Sequence, residues 1–262
     1  MTEAITVFET PPIHELAVFL AAYTSLLRGC GATCIRIEKN VARMAHAFDA
    51  EADVTMLPRH IQVSVEREGS HPVVIVRKTA DCGISFEINV LLSRLSWEVA
   101  DGKVSFEGAV RRSRSIEHTP PTNPWLVLLL ASLANASFCR LFGGDPVAMA
   151  EVFLATIAGF GLKQFMLARK RDVRVVFVVC AFCSAVITAG AARLGLGHTP
   201  DIAMGTSVLY LIPGVPYINA VSDLLDRHYL SAFIRFVDAG VLTACLATGW
   251  CAAMFLFGVD NV

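Results

Sequence analysis

An apolar run between Leu211 and Asp223 contains the residues that depart most from a regular helix. Pro213 and Pro216 supply no amide donors, so carbonyls upstream of them are left without helical partners. Gly214 lies between the two prolines and permits backbone angles that other residues avoid. The spacing therefore predicts a broken helix, in which Pro213 and Gly214 shape a site around the freed carbonyls.

Two polar side chains follow this break on one helical face. Asn219 lies three residues after Pro216, and Asp223 lies one turn further. Broken backbone inside a bilayer is tolerated where protein or water covers it, and transporters bind substrates at such breaks. We therefore expect Asn219 to hydrogen-bond a substrate, and Asp223 to bind a substrate ammonium group or a coupling proton. The alternative is a simple proline kink, with Asn219 bonded to a neighbouring helix.

Two further carboxylates, Glu151 and Asp238, lie at or near other apolar runs. A carboxylate buried in a bilayer is a candidate proton carrier, so both are candidates for a proton relay. The alternative for each is a position at the membrane surface. Lys163 interrupts the same apolar run as Glu151, and its amine is expected to extend towards the membrane surface.

The remaining patterns do not predict catalysis. The chain has no H-E-x-x-H, G-x-S-x-G, G-x-G-x-x-G or Walker pattern, so we expect no metal, no cofactor and no ATP motor. Cys180 and Cys183 have the spacing of a redox or zinc motif, but they lie inside an apolar run. Cysteines in such a run are expected to pack as small apolar side chains.

The distribution of charge divides the chain into two parts. Residues 1–123 hold 13 basic and 15 acidic side chains, whereas residues 124–262 hold 9 and 8 in a longer stretch. This pattern, with 55% hydrophobic residues and a net charge of −1, excludes a single water-soluble globule, a disordered chain and a nucleic-acid-binding module. It predicts a cytosolic domain over residues 1–118, a proline-rich linker over 119–124 and a membrane domain over 125–262.

Hydrophobic periodicity predicts an α+β fold for the first part. Helical spacing of apolar residues alternates with strand-like spacing, and a three-stranded antiparallel sheet covered by helices is expected. Arg111, Arg112 and Arg114 are assigned to the approach to the linker. The predicted helices are 16–27, 32–48 and 85–100, and the predicted strands are 54–57, 60–66 and 73–77.

Five apolar runs in the second part are each close to the roughly 20 residues that cross a bilayer. Basic residues are concentrated in alternate loops, including Arg227 and Arg235 between the last two runs. By the positive-inside rule the N-terminal domain is cytosolic and the C-terminus is outside. Residues 1–9 lack a basic region and an apolar core, so no signal peptide is predicted. The predicted spans are 125–142, 147–168, 175–192, 202–222 and 237–259.

The sequence resembles the threonine/serine exporter family over roughly residues 13 to 257. The pair Arg36 and Glu38, separated by one residue, and the segment from Pro213 to Asp223 are the most specific parts of the resemblance. Arg36 and Glu38 are therefore the candidate functional motif of the N-terminal domain. The stretches that carry the resemblance are Gly31–Glu38, Asp53–Val65, Gly83–Ser85 and Pro213–Asp223.

The resemblance implies a secondary exporter that uses the proton gradient and whose N-terminal domain is cytosolic. With five spans, the chain is similar to a short, split form of the family, which works with a separate membrane protein of about 150 residues that supplies the missing spans. One such pair is associated with succinate export. The expected protein is thus an inner-membrane, multi-pass subunit that exports threonine, serine or a dicarboxylate, with a homo-oligomer also open.

Two other functions stay open at this point. The chain could be a membrane-anchored enzyme whose chemistry lies in residues 13–110, which would require a polar cleft there. It could also be a sensor or assembly subunit that does not transport, with a membrane domain that has no cavity at the Pro213–Gly214 break.

Overall fold

The computed structural model of the protein describes residues 10–258. Two predictions concern residues outside this range. They are the absence of a signal peptide, which was predicted from residues 1–9, and the last residue of the fifth predicted span. The chain forms two compact units. Of the described residues, the N-terminal unit comprises 10–120 together with Val215–Phe236, and the helical unit comprises Pro121–Gly214 together with 237–258.

The N-terminal unit contains one antiparallel sheet in the order β1-β2-β3. Its central strand alternates buried Ile61, Val63 and Val65 with more exposed residues, as a strand with one covered face requires. The predicted sheet and its three strands are therefore confirmed: the central strand has the predicted ends, and the ends of the other two differ by at most three residues. The strands are β1 (Glu51–Met56), β2 (His60–Glu66) and β3 (Val73–Lys78).

Four helices precede and follow the sheet in this unit. Leu16, Leu20 and Leu27 of the first helix are fully buried in the core, and the hydroxyl of Tyr23 donates to the Leu92 carbonyl at 2.8 Å. Ser85 caps the third helix by accepting from the Ile88 amide. The helices are α1 (Ile13–Gly29), α2 (Cys34–His46), α3 (Phe86–Ala100) and α4 (Phe106–Glu117).

The fourth helix corrects one prediction. Arg111, Arg112 and Arg114 lie on α4 and not in the approach to a linker. Their side chains are exposed, whereas Ala109 and Ser113 of the same helix are buried. The stretch has few apolar residues, so its helical periodicity is weak in the sequence, and its Ser105 cap is the local signal that was missed.

Gly29 ends α1 at a position that excludes a side chain. A Cβ there would collide with the Ala80 carbonyl oxygen and would lie 2.8 Å from the Cys82 sulfur. Two residues later, Gly31 adopts φ +88°, a left-handed angle that glycine accepts without strain. These glycines allow the α1–α2 turn, residues 29–34, to close tightly.

The helical unit consists of long apolar helices. The caps of α5, α6 and α7 are Asn123, Asp145 and Asp172, each of which accepts a backbone N–H of the first turn. Inside the unit, the Asn135 amide donates to the Thr156 hydroxyl at 3.0 Å. Its elements are α5 (Pro124–Leu141), α6 (Pro146–Ala168), α7 (Val173–Arg193), α8 (Pro200–Thr206) and a 3-10 turn (Leu209–Leu211).

Two helices continue from one unit into the other. They are α9 (Gly214–Leu225) and α10 (Tyr229–Phe257). Among the described residues, four helices are long and apolar enough to cross a membrane: α5, α6, α7 and α10. A fifth span is counted if the bent pair Pro200–Leu211 and Gly214–Leu225 is taken as one broken segment.

The positions of the apolar helices agree with the sequence, with two differences. The first three predicted spans coincide with α5, α6 and α7 to within two residues at each end. The fourth is interrupted at Ile212 and Pro213, as the proline spacing predicted. The fifth helix begins eight residues before its predicted start, so Arg235 lies in α10 and not in a loop.

Candidate functional site

The candidate site surrounds the start of α2 in the N-terminal unit. Thr33 occupies the N-cap position of α2, but its side chain makes no capping hydrogen bond. The amide of Cys34 instead donates to Asp223 Oδ1 at 2.9 Å. A carboxylate at a helix N-terminus is favoured by the helix dipole and by the free N–H groups there. Asp223 of α9 therefore performs the capping that the local sequence does not provide.

The second oxygen of Asp223 faces two cations. Arg235 Nε of α10 lies 3.0 Å from Oδ2, and Arg28 Nη1 of α1 lies 4.0 Å from the same atom. The Cys34 thiol also donates to Oδ2, at 3.3 Å. The exposed fractions of these side chains are 0% for Asp223, 9% for Arg28 and 12% for Arg235. The site is thus a buried cluster of three charges, and we call it the Asp223 cluster.

Two further bonds attach the polar face of α9 and α10 to the α1–α2 turn. The Asn219 amide donates to the Gly31 carbonyl at 2.8 Å. The Arg235 guanidinium donates through Nη2 to the Ala32 carbonyl at 2.6 Å. Asn219 and Asp223 therefore share one face, as predicted, and here that face binds backbone and arginine groups of the N-terminal unit.

The N-terminal motif residues make separate contacts. Arg36 Nη1 donates to the Asn89 side chain of α3 at 3.1 Å. Glu38 Oε1 lies 3.4 Å from His228 Nε2, in the turn between α9 and α10. Partial burial raises the pKa of Glu38, and the neighbouring His228 acts in the opposite direction. Glu38 thus lies beside the same turn, whereas Arg36 supports the packing of α2 on α3.

Burial also affects the thiol of the cluster. It raises the pKa of Cys34, whereas the charge of Arg28 acts to lower it. Cys34 is therefore a protonated hydrogen-bond donor to Asp223 and not a thiolate nucleophile. Among residues 10–258, no group of three or more His, Cys, Asp or Glu side chains is arranged to hold a metal ion.

The break before α9 is local. Only Ile212 and Pro213 separate the 3-10 turn from α9, and the Gly214 amide donates to the Ile212 carbonyl at 2.8 Å. Pro216 lies in the first turn of α9, where a missing amide costs no helical bond. Gly214 is not among the glycines with positive φ, and a Cβ added to it would meet no atom within 4 Å. The unusual backbone angle expected of Gly214 is therefore not used here.

The two relay candidates lie elsewhere, in the helical unit. Glu151 of α6 is 9% exposed, and its Oε1 has no hydrogen-bond partner among the described residues. Asp238 is exposed on α10. No hydrogen bond or ion pair joins the two in the part of the chain that the structure describes. Lys163 Nζ lies 5.4 to 6.0 Å from the centres of three aromatic rings, at Phe160, Phe177 and Tyr210.

Sequence reasoning missed the arginines of the Asp223 cluster. Arg235 was predicted to lie in a loop, and Arg28 was assigned no role. The sequence does hold a signal for Arg235. It is a single cation, twelve residues after Asp223, and a long apolar run follows it. For Arg28 the sequence holds no comparable signal, because the residues that surround it are close only in the fold.

Comparisons with known proteins extend over most of the chain. Residues 18–257 match the family model described as "Putative threonine/serine exporter". "Probable succinate transporter subunit YjjP" of Klebsiella aerogenes is 26% identical over 231 residues, which cover 87% of this chain and 89% of that protein. The protein of the same name from Escherichia coli K12 is also 26% identical over 231 residues, covering 87% and 90%.

A longer relative and the solved structures complete the comparison. "Probable threonine/serine exporter" of Mycobacterium tuberculosis H37Rv is 23% identical over 256 residues, which cover 96% of this chain but 47% of that protein. No solved structure matches the chain. The matched region contains every apolar helix and the Asp223 cluster. With its several apolar helices, the chain is a multi-pass membrane protein of a transporter family. It belongs to the threonine/serine exporter family.

Proposed function

We propose that the chain is one subunit of a secondary exporter for a small amino acid or a dicarboxylate. The relatives named above as a threonine/serine exporter and as succinate transporter subunits support this class of cargo. The structural observation that carries the proposal is the position of α9. It directly follows the break at Ile212 and Pro213, and its Asn219 and Asp223 are bonded to the α1–α2 turn.

This arrangement suits alternating access. A break in the backbone is a hinge at which α9 can change direction without unfolding a long helix. Release of the bonds to Gly31 and Cys34 frees the Asn219 amide and the Asp223 carboxylate. We assign Asn219 to substrate binding and Asp223 to translocation, with Pro213 and Gly214 shaping the hinge.

Proton coupling needs a carboxylate that exchanges a proton during the cycle. Glu151 and Asp238 are the proposed relay residues, and Glu151 is the better placed of the two because its Oε1 is buried without a hydrogen-bond partner in residues 10–258. A small membrane protein is the proposed partner, consistent with the relatives that are named as subunits. The N-terminal unit is proposed to be cytosolic and the C-terminus external, in the inner membrane, because basic residues lie in alternate loops.

Export from proteoliposomes tests the proposal. Vesicles that contain the chain and the proposed small membrane partner are loaded with radiolabelled threonine, serine or succinate, and a pH gradient is imposed. The wild type is expected to release at least one of these, and Asn219→Ala and Asp223→Asn are expected to slow release by on the order of tenfold. Glu98→Gln, at a partly exposed ion pair, is the control. Release at the wild-type rate by both variants contradicts the site assignment.

A second candidate function has one specific observation in its favour. The N-terminal unit contains a half-open cavity of about 530 Å³ between α1, α4 and the end of β3. Its lining includes the apolar side chains of Val18 and Phe106 and the charged side chains of Arg77, Arg114 and Glu117. A volume in this range suits a small ligand, so a sensor function would place its ligand here. The sensor function would be favoured by two results together. The wild type would bind threonine, with binding lost in the Arg114→Gln variant, and it would transport none of the three compounds.

A further inference from the structure

The Asp223 cluster carries more positive than negative charge. Two guanidinium groups, Arg28 and Arg235, share one carboxylate, and all three side chains are at least 88% buried. Buried charges are stabilised when they are paired, and an extra buried cation is costly. The positive end of the α2 helix dipole lies at the same place and adds to the excess. The cluster therefore has the electrostatic character of a site for a second anion.

Hydrogen bonding in the cluster is also incomplete. A guanidinium has five N–H donors. The Arg28 guanidinium donates to the Cys34 sulfur at 3.7 Å, and its closest approach to Asp223, 4.0 Å, is too long for a hydrogen bond. Arg235 Nε lies 3.0 Å from Asp223 Oδ2 but is not aligned for a hydrogen bond and has no other partner among residues 10–258. Arg235 thus retains a buried N–H donor that a carboxylate could bind, and Arg28 approaches its anion only to ion-pair distance.

We infer that Arg28 and Arg235 form the binding site for a carboxylate group of the cargo, and that Asp223 occupies this site as an internal carboxylate when no cargo is bound. This inference rests on the proposed function and names its substrate class, small molecules with a free carboxylate. Arg–carboxylate pairs form two parallel hydrogen bonds, which gives both affinity and orientation. Displacement of Asp223 by the cargo removes the cap of α2, because the Cys34 amide loses its acceptor. Binding is thereby coupled to the release of α9 from the α1–α2 turn.

This inference predicts that one substitution in the Asp223 cluster strengthens the binding of cargo. Asp223→Asn keeps the shape of the side chain but removes the charge that competes with the cargo. Succinate is expected to bind this variant on the order of tenfold more tightly than the wild type. If Asp223 instead contacted the cargo or served only to carry a proton, the same variant would bind succinate equally or more weakly.

The experiment measures the binding of radiolabelled succinate to the purified full chain in lipid nanodiscs. Arg28→Gln is expected to weaken binding by at least about tenfold, and Arg28→Lys by less, because lysine keeps the charge without the two-pronged geometry. The diamide of succinic acid, which has no carboxylate, is expected not to compete. Arg112→Gln, at a partly exposed ion pair with Glu98, is the matched control and is expected to bind as the wild type does.

Three results would overturn the inference. They are weaker or unchanged binding by Asp223→Asn, unchanged binding by a folded Arg28→Gln variant, and absence of succinate binding in both the wild type and Asp223→Asn. If Asp223→Asn does not fold, the two Arg28 variants decide the question. Tight, Arg28-dependent binding without export from vesicles would reject the proposed function but keep this site. Export with Arg28-independent binding would reject the site alone.

Discussion

Replacing Arg235 with methionine is expected to destabilise the protein far more than the same change at Arg28. Methionine keeps much of the length and apolar surface of the side chain but removes the guanidinium. In the Asp223 cluster, Arg235 approaches the carboxylate to 3.0 Å and also binds the Ala32 carbonyl. Arg28 approaches the same carboxylate only to 4.0 Å. The two substitutions therefore separate the close ion pair from the surplus cation.

The magnitudes follow from these distances. At an effective dielectric constant of about 20, attraction over 4.0 Å gives about 4 kcal/mol for Arg28 and Asp223. Both cations approach the same oxygen, so their nitrogens are at most about 7 Å apart and repel each other by about 2 kcal/mol or more. The net attraction that remains for Arg28, ~2 kcal/mol, is offset by the desolvation cost of burying its guanidinium, which is on the order of several kcal/mol. Arg28→Met is thus expected to be within about 1 kcal/mol of neutral, or stabilising.

Loss of Arg235 relieves the same repulsion, but it removes a stronger attraction, about 5.5 kcal/mol over 3.0 Å at the same dielectric constant, and also the hydrogen bond to Ala32. It leaves a fully buried carboxylate without its close cation, which typically costs about 3–5 kcal/mol. For a protein of this size, that loss corresponds to a decrease in melting temperature on the order of 10 °C. Thermal melts in detergent would measure both variants, with Arg112→Met as the surface control, where a small change is expected. An equal decrease for Arg28→Met and Arg235→Met would refute the reasoning.

Three further outcomes are expected. Gly29→Ala should destabilise the N-terminal unit by about 1–3 kcal/mol because the added Cβ has no space. Gly161→Ala should not destabilise the protein, because a Cβ at that position meets no atom within 4 Å, and thermal melts compare the two variants. Burial raises the folded-state pKa of Glu38, so the stability it contributes is present below its unfolded pKa of about 4.3 and is lost as the pH rises through the folded pKa. Glu38→Gln should therefore raise the melting temperature near pH 7 but not near pH 4. An equal rise at both pH values, or the same pH dependence of melting temperature for the control Glu98→Gln, would contradict this prediction. Reporter fusions after Arg171 and at the C-terminus should report cytosolic and external positions respectively, and two signals on the same side would exclude the proposed topology.

The sequence predicted the local features of the fold with few errors. Alternation at Ile61, Val63 and Val65 identified the central strand, because one face of it must be covered. Long apolar runs identified α5, α6 and α7 to within two residues, since bilayer thickness sets their length. Helix α4 was missed because its polar face dominates a short segment with little apolar periodicity.

The candidate site was predictable only in part. The break at Ile212 and Pro213 and the common face of Asn219 and Asp223 follow from residue spacing along one helix. Their partners at Arg28 and in the α1–α2 turn, close to 190 residues away in sequence, do not. A single sequence contains no record of which distant segments pack together.

By itself the sequence determined where polar residues interrupt the apolar runs, where the backbone must break and how many helices are long enough for a bilayer. These are properties of neighbouring residues and of the solvent that surrounds them. Only the tertiary structure decided that Asp223 caps a helix of the N-terminal unit and that one carboxylate lies between two arginines. The physical reason is that a buried charge is defined by the groups that surround it in space, and those groups come from three helices that folding brings together.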